Sequence, residues 1–337
     1  MNTTGLVKYA GALGTLAICS ACAGGSAVAP STVAPNVQYI GRTLSVNGML
    51  VTAARLSPLP RYATIVPDRL ERKHFEYIFN IYNSYASIFD YPKSVQQIGS
   101  IPGDGGQGCT NVLNGYGKKT FWDVAGDTAI TEYKVPKTPI KTLSDSVGQP
   151  SSCAMDFSGD LAVGILNGSG AGDIDIFKQA SGPGTVMTTP LAREYFDGYD
   201  INGNLFADGF NRSDNFELVE LPKGSRKFRA ITTSNTVQFA GSVQWDGKYL
   251  TVLDQVANAI YQYTISGTKA TLKGTVKLTG SSDCAQTWIV KRLVYCADFA
   301  NNNGEVFRYP AGGSAIAVLS GNFDSPLGVT VAEKPVP

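Results

Sequence analysis

Histidine is nearly missing: His74 is the only one in 337 residues. A Ser-His-Asp relay would have to be built on that single ring. It sits beside Arg72 and Lys73 at the entrance to the expected folded domain, so a solvated boundary residue is the expectation. Charge is scarce as well. Only 16% of the residues are charged, 28 basic against 27 acidic, which leaves no basic field for nucleic acid. Helical periodicity is almost absent, and the run Asp68 to His74 is the one stretch that could hold a helical turn. Past the first eighteen residues no apolar run is long enough to cross a bilayer. What the chain has in quantity is glycine, 37 residues, with many Ser, Thr, Asn and Tyr, a composition that suits short strands joined by tight turns.

The first residues read as an export signal, with Lys8 as the positive region and Tyr9 to Ile18 as an apolar segment too short for a permanent anchor. Cys22, preceded by Ser20 and Ala21 and followed by Ala23, Gly24 and Gly25, resembles a bacterial lipoprotein processing site with Cys22 as the lipidated residue. It departs from the pattern at Cys19, where Leu is usual. Plain cleavage near Ala27 and Ala29 is the alternative. Both place the mature chain outside the cytoplasm, with a lipid anchor as the only membrane attachment. Residues 23–69 carry Pro30, Pro35, Pro58, Pro60 and Pro67 and read as a linker or tether, within which Gly41 to Ala54 could dock as a strand.

From residue 70 to 337 the chain repeats. An apolar-x-aromatic-Pro ending or its equivalent recurs at Tyr91, Tyr133, Phe177, Leu221, Tyr263 and Tyr309, spaced by 42, 44, 44, 42 and 46 residues. Spacings in that range mean a propeller or a solenoid. Turn glycines keep the same phase, Gly115, Gly159, Gly203 and Gly247, each 44 after the last, with Lys291 in the sixth place. Each turn joins an inner strand to a second, as Tyr199 to Ile201 with Leu205 to Asp208, or Val243 to Trp245 with Tyr249 to Leu253. A third strand follows (Phe216 to Leu221, Ile260 to Ile265) and then a fourth (Ala270 to Lys277). The expected fold is an all-β, six-bladed propeller of four-stranded antiparallel blades. Blade 1 begins with its second strand, Phe75 to Tyr82, and Leu327 to Ala332 is an inner strand with nothing after it, so the C-terminal strand is expected to complete blade 1.

The segments Asp200-Ile-Asn-Gly-Asn-Leu-Phe-Ala-Asp208, Leu293-Val-Tyr-Cys-Ala-Asp298 and Val306-Phe-Arg-Tyr-Pro310 resemble blades of the NHL-repeat and SMP-30/gluconolactonase-like six-bladed propellers found among exported bacterial lipoproteins. That resemblance implies either a binding scaffold or a metal-dependent lactonase. Its motifs are structural and do not choose between the two.

Repeat phase orders the cysteines. Cys109 and Cys153 are 44 apart, in the same place of adjacent blades, and Cys284 and Cys296 share one blade, so in an oxidising compartment the expected disulfides are Cys109 with Cys153 and Cys284 with Cys296. Metal catalysis would need carboxylates and amides converging at the channel mouth. Asp156 and Asp200 are the candidates, for calcium, with Asn111 and Asp197 close in phase. Both aspartates precede hairpin turns, which Asp caps for backbone reasons. Tyr199, Trp245 and Trp288 lie on or beside inner strands and could form a ligand platform, or pack between blades. No catalytic constellation stands out. The expectation is therefore a monomeric, non-enzymatic scaffold for a protein, peptide or glycan, with a lactonase-type hydrolase as the alternative.

Overall fold

The computed structural model describes residues 38–40, 43–46, 49–52, 74–81, 85–103, 106–110, 120–125, 129–144, 148–166 and 172–333. The export signal, Cys22, Asn111, the turn at Gly115 and most of the charged run before His74 lie outside the described residues. Two compact units divide the chain, Met1–Ala63 and Thr64–Pro337. Within the first, Gln38–Ile40, Thr43–Val46 and Met49–Thr52 form a three-stranded antiparallel meander, a fuller element than the single strand expected there.

Among its described residues the second unit is all-β apart from a single short 3-10 turn, Lys178–Ala180. Among the described residues no helix is long and apolar enough to cross a membrane. Its sheets are antiparallel four-stranded meanders in a propeller-like arrangement. Repeat 2 supplies Gly106–Cys109, Thr120–Ala125, Ala129–Lys134 and Thr138–Ser144; repeat 3 supplies Pro150–Met155, Leu161–Ile165, Asp173–Phe177 and Thr185–Thr188. Repeat 6 pairs Cys284–Val290, Leu293–Asp298, Asn303–Arg308 and Ala317–Leu319. Repeats 4 and 5 share one nine-stranded sheet. In it the meander Arg193–Tyr199, Leu205–Phe210, Phe216–Leu221, Arg229–Thr233 meets the meander Val243–Trp245, Leu250–Asp254, Ala259–Ser266, Lys269–Thr279 through a short parallel pairing of outer strands.

The sheet of repeat 1 is completed from the far end of the chain. Pro326–Glu333 pairs antiparallel with His74–Asn80, which continues to Tyr85–Asp90 and Ser94–Pro102. Leu327, Val329, Val331 and Ala332 are buried along it, so the strand brings apolar side chains as well as a hydrogen-bond ladder. It also covers His74, which is 1% exposed and opposite Glu333. The expectation of a solvated histidine therefore fails, because the closing strand takes the place of water there.

Aromatic and aliphatic side chains fill the spaces between sheets. Tyr77, Phe121 and Tyr133 stack between repeats 1 and 2, with ring centroids 4.0 and 5.3 Å apart. Ala162, Ile174, Leu205 and Val219 pack between repeats 3 and 4, and Leu253, Ile260, Val294 and Phe307 between repeats 5 and 6. The turn glycines do what their phase implies. Gly159, Gly203 and Gly247 have φ of 92°, 82° and 100°, and Lys291 adopts the same left-handed turn at 54° despite its side chain. One inner strand differs from expectation: repeat 4 uses Arg193–Tyr199, leaving Ile201 in the turn beyond it.

Candidate functional site

Where the inner strands of repeats 3 to 6 meet, Ser152, Asp197, Ser242, Gln244, Gln286 and Thr287 line a cavity of only about 10 Å³. That is room for about one water molecule. Neighbouring inner strands are clipped together by polar side chains instead of a backbone ladder. The Ser151 and Ser152 hydroxyls donate to Glu194 at 2.8 and 2.9 Å, linking repeat 3 to repeat 4. Ser242 and Thr287 share a hydrogen bond of 2.6 Å, and the Gln244 amide both accepts from Ile289 N–H and donates to its carbonyl, linking repeat 5 to repeat 6. Gln286 accepts from Val329 N–H at 2.8 Å and donates to the Gly108 carbonyl at 3.5 Å. Thr110 donates to the Val331 carbonyl. Ser152, Ser242, Gln244, Gln286 and Thr287 thus spend their polar groups on holding repeats together, while both Asp197 carboxylate oxygens are buried without a hydrogen-bond partner among the described residues.

Glu194, Asp197 and Asp208 are buried side by side in repeat 4. Burial lifts the Glu194 carboxyl to about 7, against the pull of the two serine hydroxyls. Burial, and then the nearby Glu194 charge, raise Asp197 and Asp208 well above the carboxylate range. Asp208 also accepts a backbone hydrogen bond from Gly241 at 3.2 Å. The sequence did not single out Glu194, Asp208, Ser151 or Ser152. The available signal was two acidic residues inside REYFDGY, a strand otherwise dominated by apolar residues.

The carboxylates expected to hold a metal are engaged by their own turns. Asp156 accepts from the Ser158 hydroxyl at 2.7 and 2.8 Å and from Asp160 N–H at 2.8 Å. Asp200 accepts from Asn202 N–H, Asn204 N–H and the Asn204 side-chain amide at 2.8 to 2.9 Å. Both aspartates thus cap their own hairpin turns. Among the described residues one group brings ligand atoms within 4.8 Å of one another, Cys296, Asp298 and Glu305. There the Cys296 sulfur is bonded to Cys284, and Asp298 takes donors from Ser281, Ser282 and Asn301. That set serves the loop and the disulfide.

Trp288 is 8% exposed, packs into the core shared by repeats 1, 2, 3 and 6, and also lines the small cavity. Tyr199 and Trp245 are half-buried at the ends of their strands, beside the turns. Burial, and then the charges of Asp156, Asp197 and Asp160, push the Tyr199 hydroxyl up. Two residues on, Ile201 is 47% exposed, and its counterpart one repeat earlier, Phe157, is 53% exposed. Both expected disulfides are formed. Cys109 and Cys153 join the inner strands of repeats 2 and 3 with Cα atoms 5.6 Å apart, and Cys284 and Cys296 join two strands of repeat 6 at 5.7 Å. They are compatible with an extracellular protein.

No protein-family model and no curated protein matches the chain. Solved structures do. A chain from a nidogen/laminin complex aligns over 77% of this chain and 98% of its own length, with a TM-score of 0.59 at 13% identity. A functionally unknown protein from Desulfotomaculum acetoxidans aligns over 77% of this chain and 99% of its own, with a TM-score of 0.52 at 9% identity. At such identities the likeness is one of fold. The second unit of this chain has a β-propeller fold.

Proposed function

We propose that the chain is a six-bladed propeller of the NHL-repeat and SMP-30-like kind, closed by Pro326–Glu333, exported and lipidated at Cys22, and serving as a binding scaffold for a protein, peptide or glycan. Six repeats of one period and the pairing of the last strand with His74–Asn80 support the ring. One observation carries the scaffold reading. The cavity between the inner strands holds no more than about one water, whereas Phe157 and Ile201, in equivalent turns of adjacent repeats, stand half-exposed. Large apolar side chains that recur at a turn without a folding task are what a recognition surface requires. Trp245, at the end of the next inner strand, extends the aromatic set.

The test compares the protein with a Phe157→Ser/Ile201→Ser variant on a glycan array and in cross-linking to cell-envelope proteins. The expected result is a partner held by the native chain and lost by the variant at an unchanged melting temperature. The metal-dependent lactonase reading gains ground instead if the purified protein opens a lactone ring only when calcium is supplied.

A further inference from the structure

Blade edges are aggregation-prone unless something covers them, and this chain covers several by a shared device. The end of one outer strand pairs in parallel with the start of the next. Thr232 and Thr233 pair with Lys269 and Ala270 between repeats 4 and 5, and Leu278 and Thr279 pair with Gly313 and Ser314 between repeats 5 and 6. Between repeats 6 and 1, Ser320 bridges Gln96, donating its N–H to the Val95 carbonyl at 2.7 Å and accepting from Gln97 N–H at 2.9 Å.

At the junction of repeats 3 and 4 the corresponding segments stay apart. Thr188 to Pro190 at the end of one outer strand and Arg226 to Phe228 at the start of the next line a cleft of about 540 Å³, and among the described residues no pairing crosses it. A β-strand between neighbours occupies roughly 160 Å³ per residue, from its rise, strand spacing and sheet spacing. The cleft therefore has space for a strand segment of roughly three to four residues.

The edge that faces it is undefended. Thr185–Thr188 carries neither charge nor proline, and Val186 is 39% exposed. The outer strand of repeat 2, by contrast, has Pro139 and Lys141, the latter donating to the Ala180 carbonyl of repeat 3. The cleft is also one-signed. Arg226 and Lys227 are exposed, neither makes an ion pair among the described residues, and no carboxylate lines the cleft.

From this we propose that an extended acidic peptide of a partner protein docks at the rim between repeats 3 and 4, adding a strand to the edge of Thr185–Thr188 while its carboxylates meet Arg226 and Lys227. Backbone pairing fixes the extended conformation, and the two cations select the sign of the side chains. This rim site is separate from the turn surface of Phe157 and Ile201 and stands without it.

Fluorescence anisotropy on the whole chain tests it, with a labelled peptide of about seven residues alternating Glu and Thr, and a control with Lys in place of Glu. Saturable binding of the Glu peptide alone is expected, weakened about fivefold or more by Arg226→Glu with Lys227→Glu and by raised salt, and unaffected by Phe157→Ser/Ile201→Ser. On the native chain, hydrogen exchange of residues 185–188 should slow when the peptide is added. Absence of binding, equal binding of the Lys peptide, indifference to the double charge reversal, or protection at the Phe157 and Ile201 turns would each overturn the proposal.

Discussion

Glu194 is sealed between two serine hydroxyls and repeat 4, and its environment favours the protonated acid. A carboxyl whose folded pKa is raised binds its proton more tightly folded than unfolded, so its contribution to stability is greatest below its ordinary value of 4.5 and is lost as pH rises through about 7. Asp283, lifted to about 7 by burial and then by Asp298, and Glu305, lifted to about 8 by burial and then by Asp298, act in the same direction. Thermal melts should therefore show a lower midpoint at pH 8 than at pH 5. Glu194→Gln keeps the shape without the charge and should remove on the order of 2 to 3 kcal/mol of that decline; an identical pH slope in the variant would refute the assignment. At this scale the sequence was legible where backbone geometry chose the residue, as at Gly203 and Gly247. It was not legible at His74 or Glu194, whose burial is imposed by strands far away in the chain.

The strand Pro326–Glu333 shows how much one element can announce. An apolar alternation without a following partner, and a first repeat without an inner strand, together pointed to the pairing that exists. Gly328 within it is set by close approach: a Cβ there would lie 2.4 Å from the Gly106 carbonyl and 2.7 Å from the Gln107 Cα, both backbone atoms that cannot swing aside. Gly328→Ala should cost about 1 to 3 kcal/mol, read as a lower denaturant midpoint at unchanged slope, and a neutral effect would mean that these inner strands are not tightly apposed. Other elements were harder to read. The start of the inner strand at Arg193 was hidden because Glu194 and Asp197 interrupt its apolar pattern. The outer-strand bridges are two-residue backbone pairings that impose no side-chain pattern at all.

In the second unit one disulfide ties two repeats together and the other lies within a single repeat. Cys109 and Cys153 close a loop of 44 residues, and Cys284 and Cys296 one of 12. Because a longer loop loses more unfolded-state freedom, Cys109→Ala/Cys153→Ala should lower stability by about 2 to 4 kcal/mol and by more than Cys284→Ala/Cys296→Ala. Denaturant titration of the two variants measures this, and the reverse order would contradict it. The fold was readable because a period of this length leaves few architectures open, whereas the functional surface was not, because recognition rests on exposures that only packing decides.

The pairing of Pro326–Glu333 with His74–Asn80 also sets a timetable. Asp324 N–H meets the Asn80 side chain from 244 positions away. At ribosomal speeds of about 5 to 20 residues per second, the edge of His74–Asn80 waits roughly ten to fifty seconds for its partner to be made. Throughout that interval an aromatic, hydrogen-bond-hungry strand is on offer to any other nascent chain. Shielding of the newly made first repeat is thus a requirement that the topology places on the cell producing it.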